Sequence, residues 1–155
     1  MQIETKRFGT IEVSDENALA VPHGIPGFPK MRRVVLMGAG MAPGQESVEN
    51  DHTLFWLQDL DDGDLAFMAV VPWGLFPDYD LEIDESALDI SDEGDVRILN
   101  LVTVRRGDGK AELSANLRAP IVVDIRKQRM HQVILRDMQL PVSAPFAVKT
   151  TVTVS

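Results

Sequence analysis

The chain has 155 residues, 45% of them apolar, with no cysteine and a formal net charge of −9. That length suits one domain with a sizeable core, and the missing thiols exclude a disulfide framework, thiol catalysis and Cys-based zinc sites. No apolar run reaches the roughly 18 residues of a spanning helix, and the opening MQIETKRFG lacks the apolar stretch of a signal peptide, so a cytoplasmic location without membrane contact is expected.

Gln2 to Val13 reads as a β-hairpin, with Ile3, Thr5, Ile11 and Val13 alternating with polar residues around a turn at Phe8-Gly9. After the turn cluster at Ser14–Asn17, Ala18 to Val21 makes a short strand. Pro22, Gly24, Pro26, Gly27 and Pro29 exclude regular structure and predict an ordered loop plugged by Ile25 and Phe28. Arg32 to Met37 is a strand, and the Gly- and Pro-rich stretch from Gly38 to Thr53 is an exposed loop. Leu54–Asp59 and Leu65–Val71 form an antiparallel hairpin across an acidic turn. In its second strand Phe67, Ala69 and Val71 share one face and Ala66, Met68 and Val70 the other. Both faces being apolar places this strand inside a sandwich or barrel.

A Pro-bounded aromatic knuckle follows at Pro72–Tyr79. Asp84 to Leu88 resembles a first helical turn with Asp84 as N-cap. Arg97 to Arg105 reads as a second strand buried on both faces, turning at Arg106-Gly107-Asp108-Gly109 into Glu112–Leu117, with Leu113, Ala115 and Leu117 on one face. Pro120 restarts a strand with Ile121, Val123 and Ile125 opposite Val122, Asp124 and Arg126. Lys127-Gln128-Arg129 turns it into His131–Arg136, with Val133 and Leu135 inward. Nine or ten short strands with turns every eight to twelve residues define the fold class: all-β, mainly antiparallel, a small β-barrel-like or sandwich single domain with at most one or two short helices. The domain is expected to span residues 1–147, with 148–155 a frayed tail or edge strand.

The charge is segregated. From Val34 to Val96 there are sixteen Asp and Glu and no Lys or Arg, a balance of −16; the remainder carries fifteen basic and eight acidic side chains, a balance of +7. The acids alternate with strand formers, which argues for a folded acidic face rather than a disordered tail. Such a face suits a basic protein partner and repels phosphates, so direct nucleic-acid binding is not expected.

Candidate chemical sites are weak. Asp59, Asp61, Asp62 and Asp64 invite a calcium reading, but counting from Asp59 the required Gly falls fifth and Val70 stands at the twelfth position. A solvated hairpin turn is expected there. His23, His52 and His131 are far apart in sequence and none has a second ligand at metal spacing. No G-x-S-x-G or phosphate loop is present. No catalytic, cofactor-binding or metal-ligating residues are therefore assigned. Arg106-Gly107-Asp108 spells an adhesion tripeptide but reads as a turn. Arg118, Arg126, Lys127, Arg129 and Arg136 lack aromatic neighbours for RNA stacking and are expected to pair with the acidic segment.

Leu54–Tyr79 resembles the signature of the FliW family of flagellar assembly factors: an aromatic-W-L-Q strand, an L-D-x-x-D-L-A-F hairpin and a P-x-x-x-F-P-D-Y knuckle. IETKRFGTIEV is similar to that family's first hairpin. Gly24–Phe28 matches its G-I-P-G-F loop, Asn116–Val123 its N-L-x-A-P-I-V segment, and Gln132–Leu135 its Q-V-I-L strand. The order is kept along nearly the whole chain; departures lie at Gly38–Thr53, Asp59, Met130 and the tail after Phe146. The resemblance implies a non-enzymatic regulator, a monomer when free, that binds flagellin and the RNA-binding translational repressor CsrA and relieves repression of flagellin translation. A flagellin-only chaperone and a carboxylate-based hydrolytic enzyme stand as alternatives. Within this reading Ile25, Pro26, Phe28, Trp73, Phe76, Pro77, Asp78 and Tyr79 are the candidate protein-binding residues, because loop-borne apolar side chains make interface anchors.

Overall fold

A computed structural model describes residues 1–38, 54–80, 95–107 and 110–146. Eleven strands lie among them: β1 (Gln2–Thr5), β2 (Gly9–Glu12), β3 (Ala18–Ala20), β4 (Arg33–Gly38), β5 (Leu54–Asp59), β6 (Ala66–Val70), β7 (Val96–Gly107), β8 (Lys110–Ala115), β9 (Ile121–Asp124), β10 (Arg129–Gln132) and β11 (Ala144–Phe146). Pro72–Gly74 is a single 3-10 turn. The expected loop at Gly38–Thr53 (beyond Gly38 itself), the helical turn at Asp84–Leu88, the Asp108-Gly109 turn and the tail 148–155 lie outside the described residues.

Strands β7-β6-β5-β4-β3-β10-β9 follow one another edge to edge, and β9 pairs back onto β7 to close a barrel. Closure removes the open edges that an isolated sheet would present. Every pairing in the ring is antiparallel except β3 with β10, which is parallel and rests on one residue pair, Ala20 opposite Arg129. Gln128, at φ 52°, reinforces this seam. Its carbonyl accepts the Ala20 N–H at 2.8 Å, and its side-chain amide donates to the carbonyls of Asp15 and Glu16 at 2.8 and 2.9 Å.

The period of two along each strand divides the apolar residues between the barrel interior and two outer layers. Val34, Leu57, Ala69, Leu99, Ile121, Val123 and Met130 fill the barrel, with Phe67 and Val71 against them. On the outer face of β4, Val35 joins Ile11, Val13 and Leu60 beneath the β1–β2 hairpin. On another outer face Val70 joins Tyr79, Ala115, Leu117 and Ala144. Strand β6 is thus packed on both sides, as its sequence predicts.

Two expectations are corrected. Arg97–Arg105 is not buried on both faces throughout: Leu99 and Asn100 are buried, but Thr103, Val104 and Arg105 are exposed. Strand β7 is twelve residues long. Its first part closes the barrel against β9, and its last part leaves the barrel as a flap with β8 and β11. Ile125 does not join Ile121 and Val123 but stands 49% exposed. The strand ends one residue earlier, where the Asp124 carboxylate accepts the Lys127 N–H at 3.0 Å and begins the turn.

Candidate functional site

The two loops singled out from the sequence sit on different layers. The Gly24–Phe28 loop is a tight turn: the Phe28 N–H donates to the Ile25 carbonyl at 2.8 Å and the Gly24 N–H to that of Val21 at 3.1 Å. Gly24 has φ 63°, and a Cβ there would stand 2.8 Å from the Pro29 carbonyl oxygen. Ile25 points into the barrel core, 3% exposed. Pro26 is exposed, and Phe28, 39% exposed, rests edge-on against Phe67 with ring centroids 4.8 Å apart.

The knuckle belongs to the outer layer beside the flap. The Leu75 and Phe76 N–H groups donate to the Pro72 carbonyl and close the 3-10 turn. Tyr79 is buried; its hydroxyl donates to the Leu117 carbonyl at 2.6 Å and accepts from Asn100 Nδ2 at 3.3 Å. Burial raises the phenol pKa, and the bond from Asn100 partly offsets that rise. Trp73, 44% exposed, donates through Nε1 to the Tyr79 carbonyl at 3.2 Å. Phe76 is half-buried, meeting Phe146 edge-on, while Pro77 and Asp78 are exposed. Of the candidate residues, Pro26, Phe28, Trp73, Pro77 and Asp78 therefore face solvent. Ile25 and Tyr79 back them from within.

Around the acidic turn, Asp59 differs from its neighbours. It is 3% exposed, and its Oδ1 accepts the N–H groups of Asp61 and Asp62 at 2.7 and 2.9 Å. A carboxylate that accepts local backbone donors is an Asx-turn device. Gln58 Nε2, fully buried, braces the same turn from inside by donating to the Asp59 and Leu65 carbonyls at 2.9 and 3.1 Å. Asp61, Asp62, Asp64, Asp78 and Asp80 remain exposed. Arg33 from β4 pairs with Asp61 at 2.6 Å. Arg118, expected to serve the acidic segment, instead donates to the carbonyls of Leu140 and Met138 at 2.8 Å each. It thereby clamps the loop before β11. A polar recess of about 420 Å³ beside the turn is lined by Lys6, Arg7, Gln58, Gly63, Asp64 and Ala66.

Two features escaped the sequence reading. Arg7 lies over the Trp56 ring, 4.3 Å from its centroid, with Phe8 edge-on to the same ring. His23 and His131 come together with centroids 6.0 Å apart. No local spacing signals either pair, because each depends on how distant strands close.

The fold has a counterpart among solved structures. A crystal structure of the flagellar assembly factor FliW superposes with a TM-score of 0.77 at 28% identity, covering 96% of this chain and 99% of that one. The FliW protein family matches residues 2–146. The chain belongs to the FliW family. The flagellar assembly factor FliW of Syntrophus aciditrophicus is 34% identical over 145 residues, which cover 92% of this chain and 85% of that protein. Its counterpart from Alkaliphilus metalliredigens is 33% identical over 138 residues, 87% of this chain and 79% of the relative. The motifs of the FliW resemblance map onto structural necessities here. The G-I-P-G-F loop needs glycine at Gly24, the W-L-Q strand supplies the Gln58 brace, and the N-L-x-A-P segment supplies the Asn116 side chain, whose Oδ1 accepts from the N–H groups of Arg118 and Ala119.

Proposed function

We propose that this FliW-family chain is a cytoplasmic, non-enzymatic flagellar assembly factor that binds flagellin and the translational repressor CsrA, and that its binding to CsrA relieves repression of flagellin translation. The observation that carries the reading is the family match along residues 2–146, in a chain whose accessible aromatics lie on two anchored loops rather than in the core. Phe28 and Trp73 have the size and partial exposure of interface anchors. Their loops are rigidly tied, so little conformational entropy is lost when a partner seats on them. The exposed acids of the 59–64 turn and of the knuckle favour a basic partner and disfavour bound RNA beside it.

Purified flagellin and CsrA, presented separately to the immobilised chain and then in competition, test the proposal. Capture of both, with one displacing the other, is the expected result. Capture of flagellin alone favours a dedicated chaperone, and capture of neither overturns the partner assignment. Phe28→Ala and Trp73→Ala are expected to weaken at least one association by about 2 kcal/mol while the variants still fold. Undiminished binding in both variants would remove these two loops from the interface.

A further inference from the structure

We propose that His23 and His131 form a two-histidine site for a borderline divalent metal ion, Zn²⁺ or Ni²⁺, that clips the barrel across its parallel seam. The site lies beyond the partner-binding reading and does not depend on it. Strands β3 and β10 are joined by one residue pair, Ala20 with Arg129. Because the strands run parallel, the chain continues from that pair to His23 on one side and His131 on the other, and the two imidazoles face each other past the last ladder contact. Met130 points into the barrel, so by alternation Arg129 and His131 lie on its outer side.

Three observations point to a ligand. First, the rings stand 6.0 Å apart with a 35° tilt. With Zn–N bonds of about 2.0–2.1 Å and each nitrogen little more than an ångström from its ring centre, one tetrahedral ion held by two imidazoles sets the centroids about 5.2 Å apart, so the exposed His23 ring closes on the ion by a shift of less than about 1 Å. Second, Nε2 of His131 is buried and has no hydrogen-bond partner among the described residues, an uncommon state for a buried nitrogen. Third, the backbone holds both residues in place. His131 is laddered to Val122 of β9, and His23 precedes Gly24, whose φ of 63° and N–H bond to Val21 fix the turn. No group of three or more His, Asp or Glu converges for a metal among the described residues. Water would therefore complete the coordination, and imidazole donors select Zn²⁺, Ni²⁺ or Cu²⁺ over Mg²⁺ or Ca²⁺.

Tag-free, chelator-treated protein titrated calorimetrically with Zn²⁺ and with Ni²⁺ tests the site. One ion per chain is expected, with a rise in melting temperature, since binding to the folded state alone stabilises it. His23→Ala and His131→Ala should each weaken binding by more than about 100-fold, beyond the roughly 10–100-fold loss usual for an outer-sphere change. His52→Ala, which removes the chain's third histidine, should leave binding intact. His23 is exposed, so its variant is expected to fold and carries the test by itself if His131→Ala does not. Absence of binding at millimolar metal overturns the site, as does binding that survives His23→Ala or is lost in His52→Ala.

Discussion

Tyr79 shows how one side chain ties the knuckle to the rest of the molecule. Its hydroxyl is both donor and acceptor, to Leu117 and from Asn100, and Asn100 Nδ2 also donates to the Asn116 carbonyl at 2.8 Å. The ring is 7% exposed, so replacing it by phenylalanine leaves a buried carbonyl without its donor. Tyr79→Phe is expected to cost about 1–3 kcal/mol in denaturant melts. The same burial makes the phenol harder to ionise. Its folded pKa lies above the ordinary value of about 10, so the unfolded chain loses this proton first. The stability from this group is complete below pH of about 10 and falls as pH rises through that value toward the folded pKa. Tyr79 is the only tyrosine of the chain, so ultraviolet titration of tyrosinate reports it alone. A midpoint at or below that of the unfolded chain would contradict the buried, doubly bonded placement. Gly24 is the second residue with a decided outcome. Gly24→Ala combines an unfavourable φ with contacts of 2.8–2.9 Å to backbone oxygens, and is expected to destabilise by more than the roughly 1 kcal/mol usual between these residues.

At the scale of elements, the strands were legible wherever alternation was strong. The β5–β6 hairpin, the doubly packed β6, the N-terminal hairpin and the inward Ile121 and Val123 follow from period and turn chemistry alone. What alternation could not convey was where a strand leaves the barrel. Val104 sits in a run of β-formers that continues smoothly from Leu99, yet only the pairing partners, β9 and then β8, determine which part is covered. The candidate loops were legible as loops, but Ile25 and Phe28 look alike in sequence and differ in the fold because the turn directs one inward and the other outward. The parallel seam was invisible, since its joining residue, Gln128, reads as an ordinary turn residue. Its side chain reaches carbonyls of Asp15 and Glu16 from the far end of the chain. Gln128→Ala removes those bonds, and Gln128→Gly keeps the positive φ favourable while removing them too. Both are expected to lose about 1–2 kcal/mol and to raise amide exchange first at Ala20, whose N–H bonds to the Gln128 carbonyl. Loss of protection spread evenly over the barrel would show that the seam is not its weakest closure. Gly63 makes the complementary point for the outer layer. A Cβ there would collide with the Glu4 carbonyl oxygen, at the place where the Lys6 N–H donates to the Gly63 carbonyl at 3.0 Å. Gly63→Ala should therefore loosen the β1–β2 hairpin while leaving the barrel closed.

For the whole molecule, two kinds of surface coexist, and ionic strength separates them. The stretch from Val34 to Val96 carries −16 against +7 elsewhere, and its described acids at the 59–64 turn and the knuckle are exposed apart from Asp59. Long-range attraction from such a field acts over a Debye length of about 10 Å at 0.1 M salt and only about 3 Å at 1 M. Apolar anchors such as Phe28 and Trp73 act at contact and are not screened. If CsrA is drawn in by the acidic field, its association rate should fall by about tenfold or more between 0.05 and 0.5 M salt, with a smaller change in dissociation. Asp64→Lys and Asp78→Lys should lower the same rate at low salt and converge with the parent at high salt. Phe28→Ala and Trp73→Ala should instead accelerate dissociation by a factor that does not depend on salt. Stopped-flow association and dissociation across a salt series resolves all four variants. A flat salt response would remove the field from the mechanism and leave the apolar loops as its whole basis, whereas salt dependence without any effect of the aromatic variants would place the interface on the acidic turn.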